Sequence, residues 1–320
     1  MQYVIETSGL TKRFGGRVAV DGVSLQVPSG CAYGYLGPNG AGKTTLIRLL
    51  LGLTRASAGT IRLFGQPVPA KRASVLGQVG ALVQSAGFHG HLTGRENLRI
   101  AAAAREPSAF GRIDGALRQV GLAERADDRV STYSQGGRRR LGLARCLLTD
   151  PALLILDEPA NGLDPAGTYE LRQMIRRLVA EGRTVLLSSH LLDEVERTCD
   201  AVAMVDRGRI IAQGLVAELA AALPQTIRLC CIDEMRALGL LSTHPVVDSA
   251  VGTPEGILIT LRHGTKAAEA ASEVNRRLLE AGIAVQGLEV RRVSLEEHFL
   301  QLLERNSRNS RNSSEQTVAA

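Results

Sequence analysis

The chain has 320 residues, 44% of them hydrophobic, which is enough for one large domain and a smaller one. No apolar run reaches the ~18 residues that span a bilayer, the first residues lack the pattern of a signal peptide, and five cysteines without a C-x-x-C pair indicate neither a disulfide framework nor a zinc site. A net charge of +6 spread without a long basic block suits an anionic ligand or membrane face, while 3% aromatic content without tryptophan argues against stacking on single-stranded nucleic acid.

Short, glycine-punctuated strands are expected at 18–20, 23–27, 31–36 and 60–65. Directly after the third comes Gly37-Pro38-Asn39-Gly40-Ala41-Gly42-Lys43-Thr44-Thr45, followed by a helical 46–50. The glycines let successive backbone N–H groups curl around a phosphate, Lys43 adds a point charge, and Thr44 offers a hydroxyl to Mg²⁺. From about 92 to 149 the pattern becomes helical, with segments at 99–105, 113–120 and one opened by Ser134. Gly136 and Gly137 leave the first turn of that last helix bare, so Ser134 fits both an ordinary N-cap and an anion site.

Strands return at 153–156, 184–188 and 201–205 with a helix at 165–180, the arithmetic of a parallel sheet. The first of these delivers Asp157 and Glu158 at its carboxyl end, where ligands of such sheets bind. Asp157 is placed to hold Mg²⁺ through water, and Glu158 to orient or deprotonate an attacking water. After residue 223 a strand at 226–232, a helix at 233–241, strands at 246–252 and 256–262, a helix at 265–281, an extended 283–292 and a helix at 294–304 describe a small split βαβ layout. From Asn306 the chain is repetitive and polar, and a disordered tail is expected. His89 and His91 lack a further ligand at metal-binding spacing, and the cysteines are expected to be buried free thiols.

The phosphate loop, the paired carboxylates and Thr132-Tyr133-Ser134-Gln135-Gly136-Gly137-Arg138 together resemble the ATP-binding subunit of ABC transporters, over roughly residues 3 to 220. The resemblance implies an α/β fold: a P-loop ABC ATPase cassette at 3–223, with a mixed sheet core and a helical subdomain at about 85–150. A small α+β accessory domain would occupy 224–305, and the tail 306–320. It implies ATP and Mg²⁺ as ligands and further site residues. Gln84 would touch Mg²⁺ and the attacking water, His190 in Ser188-Ser189-His190 would be the switch histidine, and Ala160-Asn161-Gly162-Leu163-Asp164 would follow the carboxylates. Phe14 matches the residue that stacks on adenine, with a core phenylalanine as the competing view.

Ser134 and the N–H of Gly136 match the groups that reach the γ-phosphate from the opposite cassette. The family's usual Leu-Ser-Gly-Gly-Gln is altered here at its first, third and fifth places, which bears on how tight that contact is. The variant Tyr-Ser-Leu-Gly-Met is usual in exporters resembling those for bacitracin and lantibiotics. Residues 86–98 and Val293-Ser294-Leu295-Glu296-Glu297-His298-Phe299-Leu300 point the same way, and exporters of the daunorubicin type share the second feature.

A head-to-tail homodimer, or a dimer with a related cassette, is implied, working with separate transmembrane permease subunits at the cytoplasmic face of the membrane. The function expected is ATP-driven export of a drug, antibiotic, peptide or lipid-like compound, with no nucleic-acid partner. The alternatives are a soluble ABC ATPase acting on nucleic acid or the ribosome, and a hydrolysis-poor switch, for which Gln135 and Gly137 are the motive.

Overall fold

A computed structural model describes residues 2–83, 87–105, 107–221, 223, 225–262, 264–292 and 299. The helix expected at 294–304 and the tail from 306 lie outside the described residues, Phe299 excepted. The chain divides after Ala217 into two compact units.

The first unit opens with two long antiparallel strands, β1 (Tyr3–Phe14) and β2 (Arg17–Pro28), then β3 (Ala32–Leu36) and α1 (Lys43–Leu50). Next come β4 (Ala58–Leu63), β5 (Gln66–Pro67), α2 (Val68–Leu76) and β6 (Val79–Leu82). Helices α3 (Gly94–Ala103), α4 (Ser108–Gly111), α5 (Ile113–Gln119) and α6 (Gln135–Leu147) are inserted before β7 (Leu153–Leu156). The chain continues through α7 (Pro165–Ala180), β8 (Thr184–Ser189), α8 (Leu192–Thr198), β9 (Ala201–Asp206), β10 (Arg209–Leu215) and α9 (Val216–Ala221).

Two sheets result, one antiparallel in the order β2-β1-β4-β5 and one in the order β10-β9-β3-β8-β7-β6. The second is parallel except for its edge strand β10, which pairs antiparallel with β9. Strands β3, β7 and β8 are buried along their whole length and read as continuous apolar runs up to the serines that close β8, as central parallel strands must. Helix α1 buries Leu46, Ile47, Leu49 and Leu50 in one core with residues of both sheets, which fixes the phosphate loop at its start.

The sequence does not predict β1, and it divides β2 into two pieces. Register shifts at four places along this pair interrupt the two-residue alternation on which strand prediction rests. β10 also escapes prediction, because as an edge strand it is only partly covered and shows no clean apolar face.

The second unit contains β11 (Gln225–Cys231), α10 (Glu234–Leu241), β12 (Val247–Thr253), β13 (Gly256–Leu261), α11 (Ala267–Glu280) and β14 (Val285–Arg292). Its sheet, in the order β12-β13-β11-β14, is antiparallel throughout. Alternate residues Ile227, Leu229, Ile257 and Ile259 pack with Ala237, Leu241, Ala270, Val274 and Leu278 of the two helices. This is the split βαβ layout expected from the sequence.

All five cysteines are free; Cys146, Cys199 and Cys231 are buried, while Cys31 and Cys230 are partly exposed. Burial pushes the Cys146 thiol up to about 11, so at pH 8 it is both covered and protonated. Iodoacetamide at pH 8 should therefore label Cys230 in the native protein well before Cys146, as read by peptide mass spectrometry. Equal labelling rates would contradict the packing around α6.

Candidate functional site

The pairing register brings the carboxyl ends of the central strands level. Tyr35 of β3 stands beside Ser188 of β8, and Leu156 of β7 stands beside both Leu187 of β8 and Leu82 of β6. The residues that follow these strands therefore converge on one edge, the position that ligands occupy in open α/β sheets. Around this edge Phe14, Arg17, Ala19, Asn39, Gly40, Gly42, Lys43, Thr44, Thr45, Glu158 and Asn161 line a cleft of about 470 Å³.

The phosphate loop closes this cleft as the sequence predicts. Gly42 sits at φ 100°, and a Cβ there would lie 2.2 Å from the Ala19 carbonyl oxygen, so only glycine allows the loop to pass under β2. The N–H of Gly37 donates to the Ser189 carbonyl at 3.1 Å, tying the loop to the end of β8. The Lys43 ammonium, 6% exposed, donates to the carbonyls of Gly37 at 2.6 Å and Pro38 at 3.2 Å and pairs with Glu158 Oε1 at 3.1 Å. A buried cation is thus held at the N-terminus of α1 by neutral acceptors and one carboxylate, a setting in which phosphate oxygens are favourable partners.

The two carboxylates diverge. Asp157, 4% exposed, accepts from Thr44 Oγ1 at 3.0 Å and from Ser188 Oγ at 2.7 Å. Hydroxyl and carboxylate oxygens are the hard donors Mg²⁺ selects, and Thr44 with Asp157 fits that ion. Glu158 turns the other way through a left-handed backbone, φ 49°, and its second oxygen meets His190 Nδ1 at 2.9 Å. One carboxylate therefore links the loop lysine to the histidine.

The ABC transporter family model matches residues 20–161. The bacitracin transport ATP-binding protein of Bacillus licheniformis is 36% identical over 304 residues, which cover 95% of this chain and 98% of that protein. The chain belongs to the ATP-binding proteins of ABC transporters. A daunorubicin resistance ATP-binding protein of Streptomyces coeruleorubidus is 40% identical over 302 residues, 93% of this chain and 95% of the relative. Among solved structures, the ATP-binding subunit of an ABC transporter aligns with a TM-score of 0.61 and 28% identity over 68% of this chain and 91% of that one. A dimeric post-hydrolysis cassette bound to ADP and Pi shares the fold, with a TM-score of 0.60 and 19% identity over 66% of this chain and 98% of that one. As a family member the chain binds ATP and hydrolyses it to drive transport. Among the described residues no helix is long and apolar enough to cross a membrane.

The cassette brings together all the described site residues predicted from sequence except two. Ser134 and Gly136 do not line the cleft; Ser134 caps α6 by accepting the Gly137 N–H at 3.1 Å. The altered signature residue Gln135 packs on Gly162, where a Cβ would come within 3.0 Å of its Oε1. Gln84 lies outside the described residues. Phe14 is 51% exposed at the end of β1, with the Lys12 ammonium 4.8 Å from its ring centroid, so it is not a core residue.

Sequence reading gave no site role to Arg17, Asn161 or Ser188. Ser188 carried a usable signal, since a hydroxyl at the end of a buried apolar strand must find partners, and here both carboxylate positions supply them. Replacing Lys43 with Ala removes the buried cation, and nucleotide binding measured by equilibrium dialysis should be lost. Binding within twofold of wild type would remove Lys43 from the phosphate site.

Proposed function

We propose that this chain powers an exporter of antibiotic- or drug-like compounds, working as a dimer against separate membrane subunits at the cytoplasmic face of the membrane. The observation that carries the catalytic part is the Lys43–Glu158–His190 chain of contacts beside the Asp157–Thr44 pair. The export part rests on relatives matched nearly end to end that are named for bacitracin transport and daunorubicin resistance.

The phosphate loop and Lys43 hold the phosphates of ATP, and Phe14, exposed beside the cleft, carries the adenine. Thr44 and Asp157 would hold Mg²⁺, with Gln84 as a further ligand. The ion, when bound, neutralises charge on the phosphoryl group being transferred. Glu158 orients the attacking water and takes its proton, while His190 keeps the Glu158 carboxylate turned toward the cleft. Ser134 and Gly136, which do not line this cleft, complete the site of a second copy. Their contact with the γ-phosphate makes hydrolysis depend on the dimer, and the similarity of fold to a dimeric cassette supports that arrangement.

Glu158→Gln should keep ATP binding and lower turnover by roughly 10²- to 10⁴-fold, as expected for loss of a general base. Steady-state phosphate release checks this, and turnover equal to wild type would defeat the assignment. Ser134→Arg should also bind ATP normally yet lose hydrolysis. Full activity of that variant as a monomer in sedimentation analysis would rule out the shared site.

A further inference from the structure

Ser188 is fully buried at the carboxyl end of β8, one step beyond the paired Leu156 and Leu187. Its hydroxyl makes two hydrogen bonds. It donates to Asp157 Oδ1 at 2.7 Å and accepts the backbone N–H of Glu158 at 2.9 Å. A serine hydroxyl has a single proton, so the N–H of Glu158, which can only donate, forces that proton toward Asp157. Thr44 donates to the other oxygen, Oδ2, at 3.0 Å. The Asp157 carboxylate is thereby pinned at Oδ1 by the sheet, and Oδ2 is the oxygen directed at the Thr44 hydroxyl.

The same hydroxyl secures the peptide at which the chain turns into the left-handed conformation of Glu158, φ 49°, a conformation that costs energy in a non-glycine residue. Without this acceptor the Glu158 N–H would lack its partner, and the turn that aims the side chain at Lys43 and His190 would lose its anchor.

We propose that Ser188 is a positioning residue for ATP hydrolysis, orienting Asp157 toward the metal and Glu158 toward the attacking water with one buried hydroxyl. This rests on the roles proposed above for Asp157 and Glu158. Ser188 is fully buried and does not line the cleft, so it acts through these two neighbours. Its effect must therefore show in metal dependence as well as in rate, which loss of general stability would not produce.

The test uses the full chain as wild type, Ser188→Ala, Ser188→Thr and Glu158→Gln. Phosphate release and the fluorescence of a methylanthraniloyl ATP analogue are each titrated with MgCl₂, and analogue binding is also measured in EDTA. Ser188→Ala should lower kcat by roughly 10- to 100-fold, the usual cost of removing a group that orients a metal ligand. It should raise the Mg²⁺ midpoint of analogue binding by a similar factor of about 10 and leave binding in EDTA unchanged. Ser188→Thr, which keeps the hydroxyl, should recover most of both. A wild-type Mg²⁺ midpoint in Ser188→Ala overturns the proposal, and so does a parallel loss of binding in EDTA, which would mark a merely structural serine. If instead wild type hydrolyses no faster than Glu158→Gln, the catalytic role of Glu158 fails; the Mg²⁺ midpoint of analogue binding still decides whether Ser188 orients Asp157.

Discussion

The level ending of three parallel strands, β3, β7 and β8, is the constraint on which the site depends. Their pairing leaves no freedom in where Gly37, Asp157 and His190 emerge, since each follows a buried strand whose neighbours are hydrogen-bonded along its length. The groups proposed to do the chemistry lie one or two residues past the sheet, close enough to inherit its rigidity. Lys43 belongs to the same framework, because the apolar face of α1 is locked into the core shared by both sheets. Distances near 3 Å between groups more than a hundred residues apart, such as Thr44 and Asp157, follow from this backbone geometry.

The rigid edge carries a polar network with no slack. Lys43, Asp157 and Ser188 are almost wholly buried, and each is held by named partners, as buried polar groups must be. Two irregular backbone positions make this possible. Gly42 lets the loop pass within contact distance of the Ala19 carbonyl, and Glu158 adopts a positive φ so that consecutive carboxylates face different partners. Strain of this kind is retained where surrounding bonds over-determine it, and the Ser188 bond to the Glu158 N–H is such a bond.

The signature turn follows a different logic. Its serine serves its own helix as an N-cap, and its substituted glutamine rests on Gly162 in the loop that follows the carboxylates. Within one chain the substituted glutamine is thus accommodated by packing, and the Ser134 hydroxyl caps the first turn of α6.

The sequence by itself determined the phosphate loop, the carboxylate pair, the order of elements in the second unit and the family, because each is written in local patterns: glycine spacing, apolar runs and turn residues. It did not determine β1 or β10, where register shifts and an edge position erase the alternation that betrays a strand. Nor could it decide whether Phe14 is a core residue or which of two consecutive serines matters. Ser188 and Ser189 look alike as letters. Only the register of β8 against β7 turns the first into the partner of both carboxylate residues, while the second is spent on the backbone around Leu191. Such contacts span about thirty residues and depend on which strands are neighbours, and that is settled by tertiary packing alone.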